Sequence, residues 1–180
     1  DRIFDFTAES GLLSILHSDI HMPFVKPEFR RLYFDQAVAL FRRHPNSTII
    51  WAHTGLGRVV QPVSDHLAML EEILADPGLK HVYFDISWDE VAKYVVATPD
   101  ATRQTTALIE KYPDRFLFGS DNVALTEPQA LFAVFNQYEP LWDALSPEAS
   151  EAVRKGNFAR LFDAAKVKVR SWEKTHPAPL

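Results

Sequence analysis

Apolar residues in this chain fall into short, mostly apolar runs, separated by longer stretches in which they recur every three or four positions. The runs cover 12–16, 48–52, 82–86 and 116–120. Branched and aromatic side chains dominate them, and their length suits buried strands. The periodic stretches predict helices near 28–43, 64–75, 89–96, 100–111, 128–137, 147–162 and 164–172. In the first of these, Leu32, Phe34, Ala37, Val38, Leu40 and Phe41 form one apolar side, and Pro45 ends it. Ser64 and Asp65 cap the second, which stops before Pro77-Gly78. Residues 1–10 read as the end of an amphipathic helix with Ile3, Phe4 and Phe6 on its apolar side. Gly11 stops it, because glycine accepts the left-handed conformation at a helix end. Residues 112–115 predict a turn, and the tail 175–180 is expected to fray.

Strands alternating with helices predict an α/β chain with a parallel sheet. Parallel strands present their C-terminal ends on one side, where such folds place their chemistry. Three of the four runs lead at that end into a side chain that can bind a metal or move a proton: His17, His53 and Asp121. Four strand-helix units make half of an eight-stranded barrel, which needs about 250 residues in full. Four strands alone leave two open edges. The chain is therefore expected to be either the second half of a barrel or a small open sheet. Its opening on a helix tail favours the half barrel, with one domain over 1–174 and the first half lying upstream.

Composition narrows the partners. Hydrophobic content of 47% with 24% charged residues is ordinary for a globular domain. The net charge is −5, and no Lys/Arg-rich tract occurs. Nucleic acid and anionic membrane are therefore not expected to bind. No apolar stretch approaches a membrane span. The absence of cysteine removes disulfides, thiolate metal sites and a cysteine nucleophile, and accords with the cytoplasm.

Imidazole and carboxylate suit zinc, and manganese or iron with less preference. A bound metal acidifies water or polarises a carbonyl, a neighbouring carboxylate can take the proton, and a histidine can deliver one. Thr54-Gly55 and Gly119-Ser120 are small and leave room beside these groups. Plainer readings stand alongside. His17 and His53 could be buried histidines satisfied by hydrogen bonds, and Asp121 a cap. His21 lies in HSDIH as a ligand, a substrate contact or an exposed loop residue. Arg58 could clamp a substrate carboxylate or make a surface ion pair. Asp85 and Trp88 could line a pocket, or cap and pack. His44, His66, His81 and His176 read as solvent-facing, and Asn157 and Arg160 as ties holding the late helix to the barrel floor.

The segments LLSILHSDI (12–20), IIWAHTGLGR (49–58), VYFDIS (82–87), RFLFGSDN (115–122) and GNFARLF (156–162) resemble the amidohydrolase superfamily. They are most similar to its amidohydrolase-related branch of metal-dependent hydrolases and decarboxylases. The resemblance spans nearly the whole chain. It implies a (β/α)8 barrel of the TIM type with about the last four β/α units present. It implies one divalent metal, zinc first, with His17 and Asp121 as ligands. It also makes His53 a proton-handling group, Asp121 the base for water, and Arg58, His21 and Trp88 candidates for substrate contact. The family pattern opens with a His-x-His pair, and this chain contains none. Metal binding by these residues alone is thus left open, and the gap agrees with an upstream first half. The leading expectation is hydrolysis of a C–O or C–N bond in a small, cyclic or aromatic substrate. Alternatives are non-oxidative decarboxylation on the same site, a lactonase working without metal, or a non-catalytic barrel scaffold. The only partner expected is a small molecule, and a homodimer is admitted.

Overall fold

The apolar runs become strands because their side chains are buried against helices on the sheet's outer face. A computed structural model describes residues 1–20, 26–57, 65–122 and 127–177. Strands β1 (Leu13–Leu16), β2 (Thr48–Trp51), β3 (Val82–Asp85) and β4 (Phe116–Leu117) form one sheet in the order β1-β2-β3-β4. Every pairing is parallel, with Leu16 opposite Trp51, Trp51 opposite Phe84, and Asp85 opposite Leu117. The α/β class and the parallel sheet match the expectation from the sequence.

Helices connect and flank the strands: α1 (Arg2–Ser10), α2 (Leu32–Arg43), α3 (His66–Ala75), α4 (Asp89–Val95), α5 (Pro99–Lys111), α6 (Pro128–Gln137), α7 (Glu139–Ala144), α8 (Pro147–Glu151) and α9 (Asn157–Thr175). Their ends carry recognisable signals. Gly11 closes α1 in the left-handed conformation, and its N–H donates to the Thr7 carbonyl at 2.9 Å. Thr98 and Ser146 accept from the N–H groups of Ala101 and Ala149, each followed by proline at the first helical position.

The sheet has two different faces. On the outer one, Phe34 and Phe41 of α2 meet Trp51, which continues through Phe84 to Phe116 in one aromatic layer. Met69, Leu70 and Ile73 of α3 and Ile109 of α5 complete this core. Burial of side chains this size contributes about 1.5–3 kcal/mol each. The Trp51 indole N–H is satisfied by the Ser18 carbonyl at 2.8 Å, which ties the chain after β1 to β2. On the inner face, Ile50 and Leu117 meet Leu161 of α9, with Leu13, Tyr83 and Phe162 around them. Ile15 on this face is 66% exposed. Asn157 donates to the carbonyls of Pro113 and Phe116, and Arg160 to that of Asp114. Both therefore fasten α9 beneath β4, as the sequence suggested.

Helix α7 forms where the sequence predicted none, and three further elements differ from expectation. Strand β4 is two residues long, because Phe118 leaves the sheet to pack on Phe135, Tyr138 and Trp142. The helix expected over 147–162 is interrupted by a wider turn at Ala152–Gly156. The helix then runs unbroken to Thr175, with no break at 163. His176 stacks on Trp172 at 4.2 Å, so the start of the tail is packed. Among the described residues, no helix is long and apolar enough to cross a membrane.

Candidate active site

All four strands hand the chain to a turn at the same end, and the chemically capable residues lie in those turns. His17 follows β1 directly and is exposed. His53 lies just beyond β2 in a tight turn over Ala52–Gly55. Asp85 is the last residue of β3, with Ser87 and Trp88 after it. Asp121 follows β4. Among the described residues, the non-glycine positions with positive φ are His53 (58°), Thr54 (53°), Trp88 (93°) and Asp121 (48°). Each such conformation costs about 1–3 kcal/mol and persists only where surroundings enforce it. Here all four lie at the strand ends, so the strain points to a working site.

These turns enclose a cavity of about 650 Å³. His17, His53, Asp85 and Asp121 form its polar part, while Ile50 and Phe162 belong to its apolar side. The His17 and His53 rings meet edge to face at 5.1 Å between centroids. His53 Nε2 lies 3.7 Å from Asp121 Oδ2. Trp88 covers the other side of the His53 ring at 5.0 Å. His17, His53, Asp121 and Trp88 thus line one pocket, whereas Arg58 and His21 lie outside the described residues.

The far side of His53 is held by groups that accept hydrogen bonds. Its Nδ1 lies 3.3 Å from the Ser87 carbonyl, 3.4 Å from Ser87 Oγ and 3.5 Å from Asp85 Oδ2. Asp85 accepts from Ser87 Oγ at 2.5 Å, from the Ser87 N–H at 3.1 Å and from the His53 N–H at 3.3 Å. Burial pushes the Asp85 carboxyl above its ordinary value. The Ser87 hydroxyl and N–H, the His53 N–H and the electrostatic influence of the His53 ring only partly offset that rise. Tyr138 donates from beneath to the carbonyls of Ile86 and Trp88, pinning the segment that carries Ser87.

Ser87 and Tyr138 were not legible as site residues. Ser87 carried only a weak hint, two positions after a strand-end carboxylate, where Asx turns form. Tyr138 reaches the site from the junction between α6 and α7, far along the chain. Two other readings need correction. His44 and His66 are buried rather than solvent-facing: His44 lies between Asp1 and Asp5, and His66 meets the Thr54 carbonyl at 2.9 Å. His81 is part-buried and meets the Phe41 carbonyl. Gly55 leaves no room for a ligand either. A Cβ there would lie 2.5 Å from Ile20 and 2.7 Å from Trp51, whereas Gly119 faces only Ser87 at 3.7 Å.

The donor types present suit a divalent ion, since zinc takes imidazole and carboxylate. The number is short. Among the described residues, no three His, Asp or Glu side chains gather at one point. A catalytic zinc uses three protein ligands, so the described residues do not by themselves complete a zinc site.

In a comparison with protein families, residues 1–164 match the amidohydrolase family. The chain belongs to that family. Comparison with curated proteins and with solved structures gave no match. Amidohydrolase membership points to metal-dependent hydrolase or decarboxylase chemistry, and a parallel sheet of four β/α units is consistent with part of the family's barrel.

Proposed function

We propose that this amidohydrolase hydrolyses a C–O or C–N bond of a small, cyclic or aromatic substrate. The supporting observation is the placement of His53 Nε2 and Asp121 Oδ2, 3.7 Å apart on one cavity. Asp121 takes the proton of the attacking water and passes it to His53 Nε2, which delivers it to the leaving group. His17 and Asp121 would hold the metal, zinc before manganese or iron, together with donors from outside the described residues. When bound, such an ion supplies Lewis-acid polarisation and an acidified water. Trp88 and the apolar side of the cavity receive a flat ring, and Arg58 and His21 serve as substrate contacts.

We read the sheet as the last four units of a (β/α)8 barrel in a cytoplasmic enzyme. The exposure of Ile15, on the inner face of β1, supports this, since in a closed barrel that side chain is covered. The apolar lining also favours a second reading, non-oxidative decarboxylation of an aromatic acid on the same groups. Metal analysis of the full-length protein tests the first requirement: bound zinc, with activity lost to a chelator and restored by zinc, is expected. A metal-free protein that turns over substrate sinks the metal-dependent reading. Release of CO2 from an aromatic acid, rather than of an acid or amine product, would select the decarboxylase. Arg58→Ala is expected to raise KM for carboxylate substrates, and an unchanged KM removes Arg58 from the site.

A further inference from the structure

We infer that Asp85, together with Ser87, is a positioning residue that fixes His53 as the Nδ1–H tautomer and turns its bare Nε2 toward the cavity. The inference rests on the reading of His53 as the proton-handling group. The Ser87 carbonyl, 3.3 Å from Nδ1, can only accept. Ser87 Oγ directs its own proton to Asp85 Oδ2 at 2.5 Å, and so presents a lone pair to Nδ1 at 3.4 Å. The Asp85 carboxylate, 3.5 Å away, also accepts. Three acceptors thus surround one ring nitrogen, and the proton belongs there. The opposite nitrogen, Nε2, is left with its lone pair toward Asp121.

Asp85 also acts on the backbone. His53 and Thr54 are both in the left-handed region, a conformation that costs about 1–2 kcal/mol per residue. That turn aims the His53 N–H at Asp85 Oδ2, which accepts it at 3.3 Å. One carboxylate therefore orients both the strained turn and the ring it carries. Trp88 closes the remaining side of the imidazole, so the ring has little freedom to flip.

The test is a 15N–1H correlation spectrum of the histidine rings in the full-length protein, with the His53 signals assigned by their loss in His53→Gln. The expected wild-type pattern is a protonated Nδ1 and an unprotonated Nε2 at neutral pH. Asp85→Asn and Ser87→Ala should give mixed tautomers. They should also lower kcat about 10- to 100-fold with KM within about twofold, as loss of an orienting partner does. Ser87→Ala removes a single oxygen, so it serves where Asp85→Asn fails to fold. A protonated Nε2 in the wild type, or an unchanged tautomer in the folded variants, overturns the inference. A shifted tautomer with unchanged kcat upholds the positioning and instead refutes His53 as the proton-handling group.

Discussion

His53 Nε2 and Asp121 Oδ2 face each other across 3.7 Å at the tops of β2 and β4. That separation is too long for a hydrogen bond. It lets a third atom, such as a water or a substrate oxygen, touch both. Asp121→Asn should therefore abolish most turnover, by about 100-fold or more, since an amide oxygen is a poor base. The fold should survive, because asparagine tolerates the left-handed conformation that Asp121 adopts, with φ of 48°. Thermal unfolding within a few degrees of wild type, beside steady-state rates, checks both halves. Near-normal rates would remove Asp121 from the chemistry.

Gly55 follows His53 and Thr54 in the same turn, with φ of 73°. A methyl group there meets Ile20 and the buried Trp51 well inside van der Waals contact. Gly55→Ala combines left-handed strain with overpacking, for an expected loss of about 2–5 kcal/mol. Chemical denaturation measures it. Stability equal to wild type would mean that the turn has another accessible geometry.

How far this was readable in advance depended on whether the signal was local. Strands β1 to β3 were visible because each apolar run is too short for a helix and rich in branched or aromatic residues, which together favour a buried strand. The last run failed beyond Leu117, since Phe118 found three aromatic partners on α6, on α7 and at their junction. His17, His53 and Asp121 stood out because a polar side chain closing an apolar run is conspicuous. The support of His53 by Asp85 and Ser87 did not, because it depends on a left-handed turn and a pairing between β2 and β3. Burial of His66 likewise depends on the Thr54 carbonyl arriving beside it.

Tyr138 lies beneath the turn after β3 and donates to the Ile86 and Trp88 carbonyls. Burial raises its hydroxyl pKa, so the donor stays protonated throughout the neutral range. Tyr138→Phe removes the phenol donor from the Ile86 carbonyl and leaves the Trp88 carbonyl only the Ala92 N–H, and should cost about 1–3 kcal/mol. Because Ser87 lies between those carbonyls, kcat should fall while KM changes little. A variant with wild-type kcat and stability would show that the turn holds itself.

His81 supplies a pH dependence of stability whose sign can be worked out. Its Nε2 lies 3.0 Å from the Phe41 carbonyl. Partial burial lowers its pKa, the carbonyl pulls it back up, and the positive charges of Arg115 and His44 lower it further. The net displacement is downward from 6.5. The unfolded chain therefore takes up a proton before the folded one does. The stability contributed by neutral His81 is complete above the unfolded value and is lost as pH falls through 6.5 toward the folded value. Asp85 acts in the opposite sense. Its raised carboxyl favours the folded state in acid, and that contribution is lost as pH rises through its folded value. Comparing variants isolates the histidine. His81→Gln keeps an N–H for the Phe41 carbonyl and cannot be protonated. It should lose less stability than wild type between about pH 7.5 and about pH 5, a window that spans the ordinary histidine pKa. Urea unfolding at the two pH values reads this directly. Equal losses in both proteins would show that the proton uptake lies elsewhere.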